Sequence, residues 1–117
     1  MSIDPAALIP YREAMGPDAD SFVADLIDTF LSSTQEIVAA LYTSMPTADA
    51  QLFTRSAHTL KSNSAIFGAQ VLSSLCFELE SAGKSADLTT LLPKVDQVKA
   101  EYQQVCRELV DLRTSLV

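Results

Sequence analysis

Between Leu88 and Leu116 apolar residues recur three and four positions apart over four heptads: Leu88, Leu91, Val95, Val98, Tyr102, Val105, Leu109, Leu112 and Leu116. A strand cannot present such a seam on one side, because its side chains alternate with a period of two. A helix of this length with one apolar edge must bury that edge. It does so against a second copy in a coiled coil or against other helices of its own chain in a bundle. Three further amphipathic segments joined by short connections favour the antiparallel bundle. Pro93 falls inside the pattern and predicts a kink or a broken first turn there.

The rest of the chain divides at turn signals. Met15-Gly16-Pro17, Met45-Pro46-Thr47, Gly68 and Ala82-Gly83 cut it into five helical pieces, and no stretch shows the alternation of a strand. Asp4-Pro5, a capping residue followed by proline at the first helical position, opens a first piece that runs to about Met15. The second starts near Asp18 and carries Val23, Leu26, Ile27, Phe30, Ile37, Leu41 and Met45 on one stripe, broken only by Thr34. Thr47 or Asp49 caps the third, which runs to Phe67, where Gly68 stops it. The fourth, with Leu72, Leu75, Cys76 and Leu79 on one face, ends at Gly83. The expected fold is all-α: a single domain over 1–117, with an N-terminal helix in 1–16 and an antiparallel four-helix bundle in 17–117.

Composition narrows the function. A net charge of −7 with only eight basic residues, scattered along the chain, opposes binding to nucleic acid or to an anionic membrane. Met1 to Gly16 has neither the basic start nor the apolar run of a signal peptide, and no later segment reaches the length of a membrane span. A cytoplasmic monomer is expected. Cys76 and Cys106 both lie in apolar helical patterns and read as packed, reduced thiols. With one histidine and no C-x-x-C pair, no metal site is expected.

That one histidine, His58, lies in the third helical piece. At about 100° per residue, Phe53, Leu60 and Phe67 fall within about 40° of one another and form a core stripe, while His58 falls about 160° from Leu60. It therefore points outward. Gln51, Thr54, Arg55, Lys61, Ser62 and Ala65 share its face, with the two cations at i−3 and i+3. By geometry alone this is either an ordinary solvated helix face or a surface nucleophile in a small positive patch on an acidic protein. Imidazole suits the second role because one ring nitrogen is unprotonated near neutral pH.

The residues themselves add to this. Ala57-His58-Thr59-Leu60-Lys61-Ser62, Ser64, then Gly68-Ala69, Leu72, Cys76 and Leu79-Glu80 resemble the signature of histidine-containing phosphotransfer (HPt) domains, the intermediates of multistep phosphorelays. The pattern A-H-x-L-K-[GS]-x-[SA]-x-x-x-G-A-x-x-L-x-x-x-C-x-x-L-E spans about two dozen residues, and Phe22-Val23 through Phe30-Leu31 looks like the family's first bundle helix. The resemblance implies that His58 is the phosphoacceptor, that Lys61, with Arg55 nearby, stabilises the phosphorylated form, and that Gly68 makes the hairpin turn. Ser62 stands where many members have glycine.

The implied partners are response-regulator receiver domains and a sensor or hybrid histidine kinase. A receiver would bring its own phospho-aspartate, catalytic lysine and Mg2+. The chain itself has no Gly-rich phosphate loop or clustered metal ligands and is expected to need no cofactor and to act as an intermediate, not an enzyme. Docking is expected on Gln51, Thr54, Ser62 and Ala65. An adjacent strip of the second helix, near Phe30, Leu31, Thr34 and Val38, is expected to join them by antiparallel register. A non-catalytic helical adaptor is the competing reading, which the small neighbours left around His58 and Lys61 disfavour. A hydrolytic centre is a further one. It lacks a nucleophile–base–orienter set, Asp49 and Glu78 being the nearest carboxylates in sequence and both distant. Met1 and the complete-looking helical ends favour a free-standing shuttle over a domain of a larger kinase.

Overall fold

The computed structural model describes residues 1–85 and 87–116, and every regular element among them is helical. A short α1 (Ile9–Met15) precedes four longer helices, α2 (Ala19–Thr43), α3 (Ala50–Ile66), α4 (Gln70–Ala82) and α5 (Leu92–Ser115). Each long helix packs on the next and α5 closes back on α2, while α1 lies against α2. Connections this short force successive helices to run in opposite directions, so the four form an elongated antiparallel bundle of 48 × 21 × 21 Å.

The seam that opens the sequence argument closes within the chain. Val95, Val98, Val105 and Leu109 are fully buried, with Leu88 and Tyr102 nearly so, in one core cluster with Val23, Ile27, Leu41, Phe53, Leu60, Leu72 and Leu79. No second copy is needed to cover it. Pro93 does break the first turn. Leu88–Leu91 form a 3-10 turn capped by the Asp87 carboxylate, and the α-helix begins only at Leu92, with proline in its first turn, where an N–H would have no partner.

The N-terminal piece differs from the single helix expected between Asp4-Pro5 and Met15. Pro5–Leu8 is a 3-10 turn, capped by Asp4 through Ala6 N–H, and α1 follows. Pro10 is the reason: it has no N–H to bond back to Ala6 O, which accepts from Ile9 instead. The segment before it is nevertheless pinned. The backbone N–H groups of Ser2 and Ile3 donate to the Glu108 carboxylate at 2.9 Å each, Asp4 N–H reaches Phe67 O at 2.9 Å, and Ile3 and Leu8 are buried.

The α3–α4 hairpin carries the candidate site residues His58, Lys61 and Arg55. Asp49, not Thr47, caps α3, its carboxylate accepting from Leu52 N–H at 3.0 Å. Phe53, Leu60 and Phe67 are buried as the helical wheel requires. Gly68, at φ +65°, makes the turn; a Cβ there would come within 2.8 Å of Asp4 Cβ, so both the backbone conformation and the packed N-terminal segment demand glycine. Thr34, the polar break in the α2 stripe, is fully buried. Its hydroxyl bonds to Phe30 O and, at 2.8 Å, to the Tyr102 hydroxyl, joining α2 to α5 through the core.

Candidate functional site

His58 stands on the outer face of α3 with 58% of its side chain exposed. Its Nδ1 lies 2.6 Å from Glu80 Oε2, and Lys61 Nζ donates to Glu80 Oε1 at 2.7 Å. One carboxylate from α4 thus holds both α3 residues, one oxygen each. Glu80 is 15% exposed and Lys61 25%, so imidazole is the member of the three that faces solvent. The Lys61 ammonium, and then the hydrogen bond to His58, hold the Glu80 carboxyl below the usual glutamate range, against the opposing effect of burial. Glu80 is therefore ionised at neutral pH and acts as an acceptor toward both neighbours.

Glu80 corrects the expectation that His58 has no carboxylate close by. The two residues are 22 positions apart and meet only because the Gly68 turn folds α4 back along α3. The signal available in the sequence was the Leu79-Glu80 pair that ends the recognised pattern. Asp49 and Glu78 do not join the cluster: Asp49 caps α3 and Glu78 pairs with Lys94 at 3.3 Å.

Of the other anticipated residues, Gln51, Arg55, Ser62 and Ala65 are exposed on the His58 face. Arg55 has no ion-pair partner among the described residues, and its carbonyl accepts from the Thr59 hydroxyl. Thr54 is half-buried, its hydroxyl turned back to Ala50 O at 2.9 Å. The strip anticipated on α2 does not face outward. Phe30, Thr34 and Val38 are 3%, 0% and 7% exposed and belong to the core side of the helix. Burial is set by the rotation of α2, which turns these residues into the core: the Phe30 ring centroid lies 5.4 Å from that of Phe67, at the Gly68 end of α3, and Thr34 meets Tyr102 of α5. Leu31 is half-buried and turned to the α5 side, where it borders a shallow depression with Tyr102, Cys106 and Val110.

What α2 does offer next to α3 is an open apolar groove of about 270 Å³, lined chiefly by Phe22, Leu26, Thr29, Ser33, Asn63 and Ile66, with Phe30 and Phe67 in its wall. Leu26 was read as part of the core stripe; being only half-buried at the stripe's margin, it forms the groove's rim. Both cysteines are free, Cys76 buried and Cys106 half-buried, and burial pushes the Cys76 thiol up to about 12 and raises that of Cys106. Neither is a nucleophile at neutral pH. Among the described residues no three His, Cys, Asp or Glu side chains converge. None of the described helices is long and apolar enough to cross a membrane.

A surface imidazole held by a carboxylate on a helical hairpin, with a lysine one turn on, is the arrangement that comparison with known proteins must explain. The model of the Hpt domain family matches residues 25–108. The chain belongs to the Hpt family. A search of curated protein sequences gave no match. Among solved structures it is similar to histidine-containing phosphotransfer protein B (HptB) from Pseudomonas aeruginosa PAO1. The TM-score is 0.83 and the identity 25%, with 97% of this chain and 96% of that one covered. The four-helix bundle is the Hpt fold, and membership gives this Hpt protein a histidine phosphotransfer role in a phosphorelay, as an intermediate and not as an enzyme in the ordinary sense.

Proposed function

We propose that His58 is the phosphoacceptor, taking a phosphoryl group from the aspartyl phosphate of one receiver domain and passing it to the aspartate of another. The observation that carries this reading is the contact between His58 Nδ1 and Glu80 on an otherwise open helix face. An ionised carboxylate 2.6 Å from Nδ1 keeps the ring proton on that nitrogen. The lone pair then resides on Nε2, and Nε2 is the nucleophile. It attacks phosphorus in line; the Nε2–P bond forms as the acyl phosphate P–O bond breaks, and the leaving electron pair restores the donor's aspartate carboxylate. The reverse exchange delivers the group to the second receiver. Lys61, already beside the imidazole, offsets the charge that the phosphoryl group brings, and Arg55 adds a second cation one turn earlier.

The remaining groups come from the partner. Glu80 is the one carboxylate against His58 among the described residues, and both its oxygens are engaged by His58 and Lys61. That donor set does not fit a Mg2+ ion, so the cation and the catalytic lysine belong to the receiver in this reading. Receivers dock over Gln51, Ser62 and Ala65 and into the Leu26–Ile66 groove, where the apolar rim provides contact area and Ser62 keeps the approach to His58 narrow. The protein acts as a cytoplasmic monomer between a sensor or hybrid kinase and its receivers. The test is transfer from a phosphorylated receiver: wild type takes up the label and His58→Gln does not, whereas label on His58→Gln would end the assignment.

A further inference from the structure

The chain has five phenylalanines. Phe30, Phe53 and Phe67 are buried in the core, and Phe22 lines the α2–α3 groove against Tyr11 at 6.3 Å between ring centroids. Phe77, on α4, is 56% exposed and outside the core cluster. Its ring centroid lies 5.4 Å from Lys61 Nζ, within the range of a cation–π contact. Phe77 and Glu80 are three residues apart on α4, the spacing at which helical side chains stand together. The ammonium of Lys61 is thereby engaged by two groups of one helix, a carboxylate oxygen at 2.7 Å and an aromatic face. The Ser73 hydroxyl, donating to Lys61 O at 3.3 Å, ties the two backbones at the same level.

We propose that Phe77 is a positioning residue for Lys61, and that by confining the ammonium to the gap between α3 and α4 it sets the lifetime of the phosphohistidine. The inference rests on the reading of His58 as phosphoacceptor. A lysine on a flexible four-carbon stem is otherwise free to swing into water. In the unphosphorylated protein Glu80 and the face of Phe77 together hold it. Once Nε2 carries a phosphoryl group, two anions stand on either side of one imidazole, and the ammonium must remain near both to offset their repulsion. The face of Phe77 keeps it there without adding a further charge or a competing acceptor. Loss of the group is hydrolysis: a water oxygen bonds to phosphorus, the Nε2–P bond breaks with its electron pair returning to the ring, and orthophosphate leaves. A displaced Lys61 leaves the phosphoimidazole less stabilised against that step.

The test loads the protein with phosphoramidate, which needs no docking partner, and follows the decay of the phosphohistidine. In this loading the donor's P–N bond breaks with release of ammonia as the Nε2–P bond forms. Phe77→Leu should shorten the half-life about 2–5-fold, the rate equivalent of an exposed cation–π contact, and Phe77→Tyr should restore it. In a Lys61→Ala background Phe77→Leu should change nothing further. An unchanged half-life in Phe77→Leu overturns the proposal. So does an effect that persists in the absence of Lys61. A raised KM for a phosphorylated receiver with an unaltered half-life overturns it too, since Phe77 would then be a docking residue only. Label appearing on His58→Gln instead removes the underlying assignment, which keeps the two failures distinct.

Discussion

The α2–α5 side of the bundle and the α3–α4 hairpin arrange their polar groups in opposite senses. Between α2 and α5 the Thr34 and Tyr102 hydroxyls meet in the core, Thr34 fully buried and Tyr102 7% exposed. Burial pushes the Tyr102 hydroxyl up to about 12, so it stays neutral and serves only to join two helices. Between α3 and α4 the polar groups meet at the outer edge, where Glu80 joins His58 and Lys61 and the imidazole remains open to solvent. Both are interhelical polar contacts. A satisfied buried pair fixes packing, whereas one at the rim of the same bundle holds a reactive group in a set orientation. On the proposed function, stability and chemistry therefore belong to different faces of the same helices.

The comparison breaks most visibly if the two faces of α3 prove to be coupled. Phe53→Ala, on the inner face, should cost about 3–5 kcal/mol in urea unfolding. His58→Gln, on the outer face, should alter stability by less than about 0.5 kcal/mol while removing phosphorylation. Next in size, Glu80→Gln replaces an acceptor-only group by an amide that can also donate, so the imidazole loses its fixed tautomer. Single-turnover transfer from a phosphorylated receiver should slow about ten- to hundredfold, the equivalent of a charge-assisted hydrogen bond of about 1.5–3 kcal/mol, with the unfolding curve nearly unchanged. On the other side, Thr34→Val removes the hydroxyl partner of Tyr102 and leaves it only the weaker Cys106 thiol, and should cost about 1 kcal/mol of stability, with transfer kinetics unaltered.

The smallest effect is a titration. Glu80 has its carboxyl lowered in the folded protein, chiefly by Lys61. Its contribution to stability is therefore fully present above the unfolded value of about 4.3 and disappears as pH falls through the lower folded value. Lys61→Ala removes the largest cause and should move the Glu80 carboxyl resonance, followed by 13C NMR, to a higher midpoint. A midpoint that stays in place would mean that Lys61 does not hold this carboxylate.

How far the sequence could be read follows the same division between one helix and two. The angle between His58 and the Phe53, Leu60 and Phe67 stripe is fixed by the 3.6-residue turn of a single helix, and the structure places all four as that angle requires. The burial of the α5 seam was legible for the same reason. Phe30 and Thr34 were assigned to a docking strip although the apolar stripe of α2 already put them on its core side; antiparallel register speaks only of height along a helix, and the stripe, not the register, matches their burial and that of Val38. Glu80 was missed because its contact with His58 depends on the rotation of α4 after the Gly68 turn. The break at Pro10 is a different case. It was present as local chemistry, a missing N–H inside a proposed helix, and it divides the N-terminal piece as that chemistry dictates.

The most direct test of the central claim uses the fact that His58 is the only histidine, so its ring nitrogens are observed without ambiguity. Long-range 1H–15N correlation spectra taken before and after phosphorylation should show a ring protonated at Nδ1 in the free protein and phosphorylated at Nε2 in the loaded one. A proton on Nε2 in the free protein, or a phosphoryl group on Nδ1, would contradict the account.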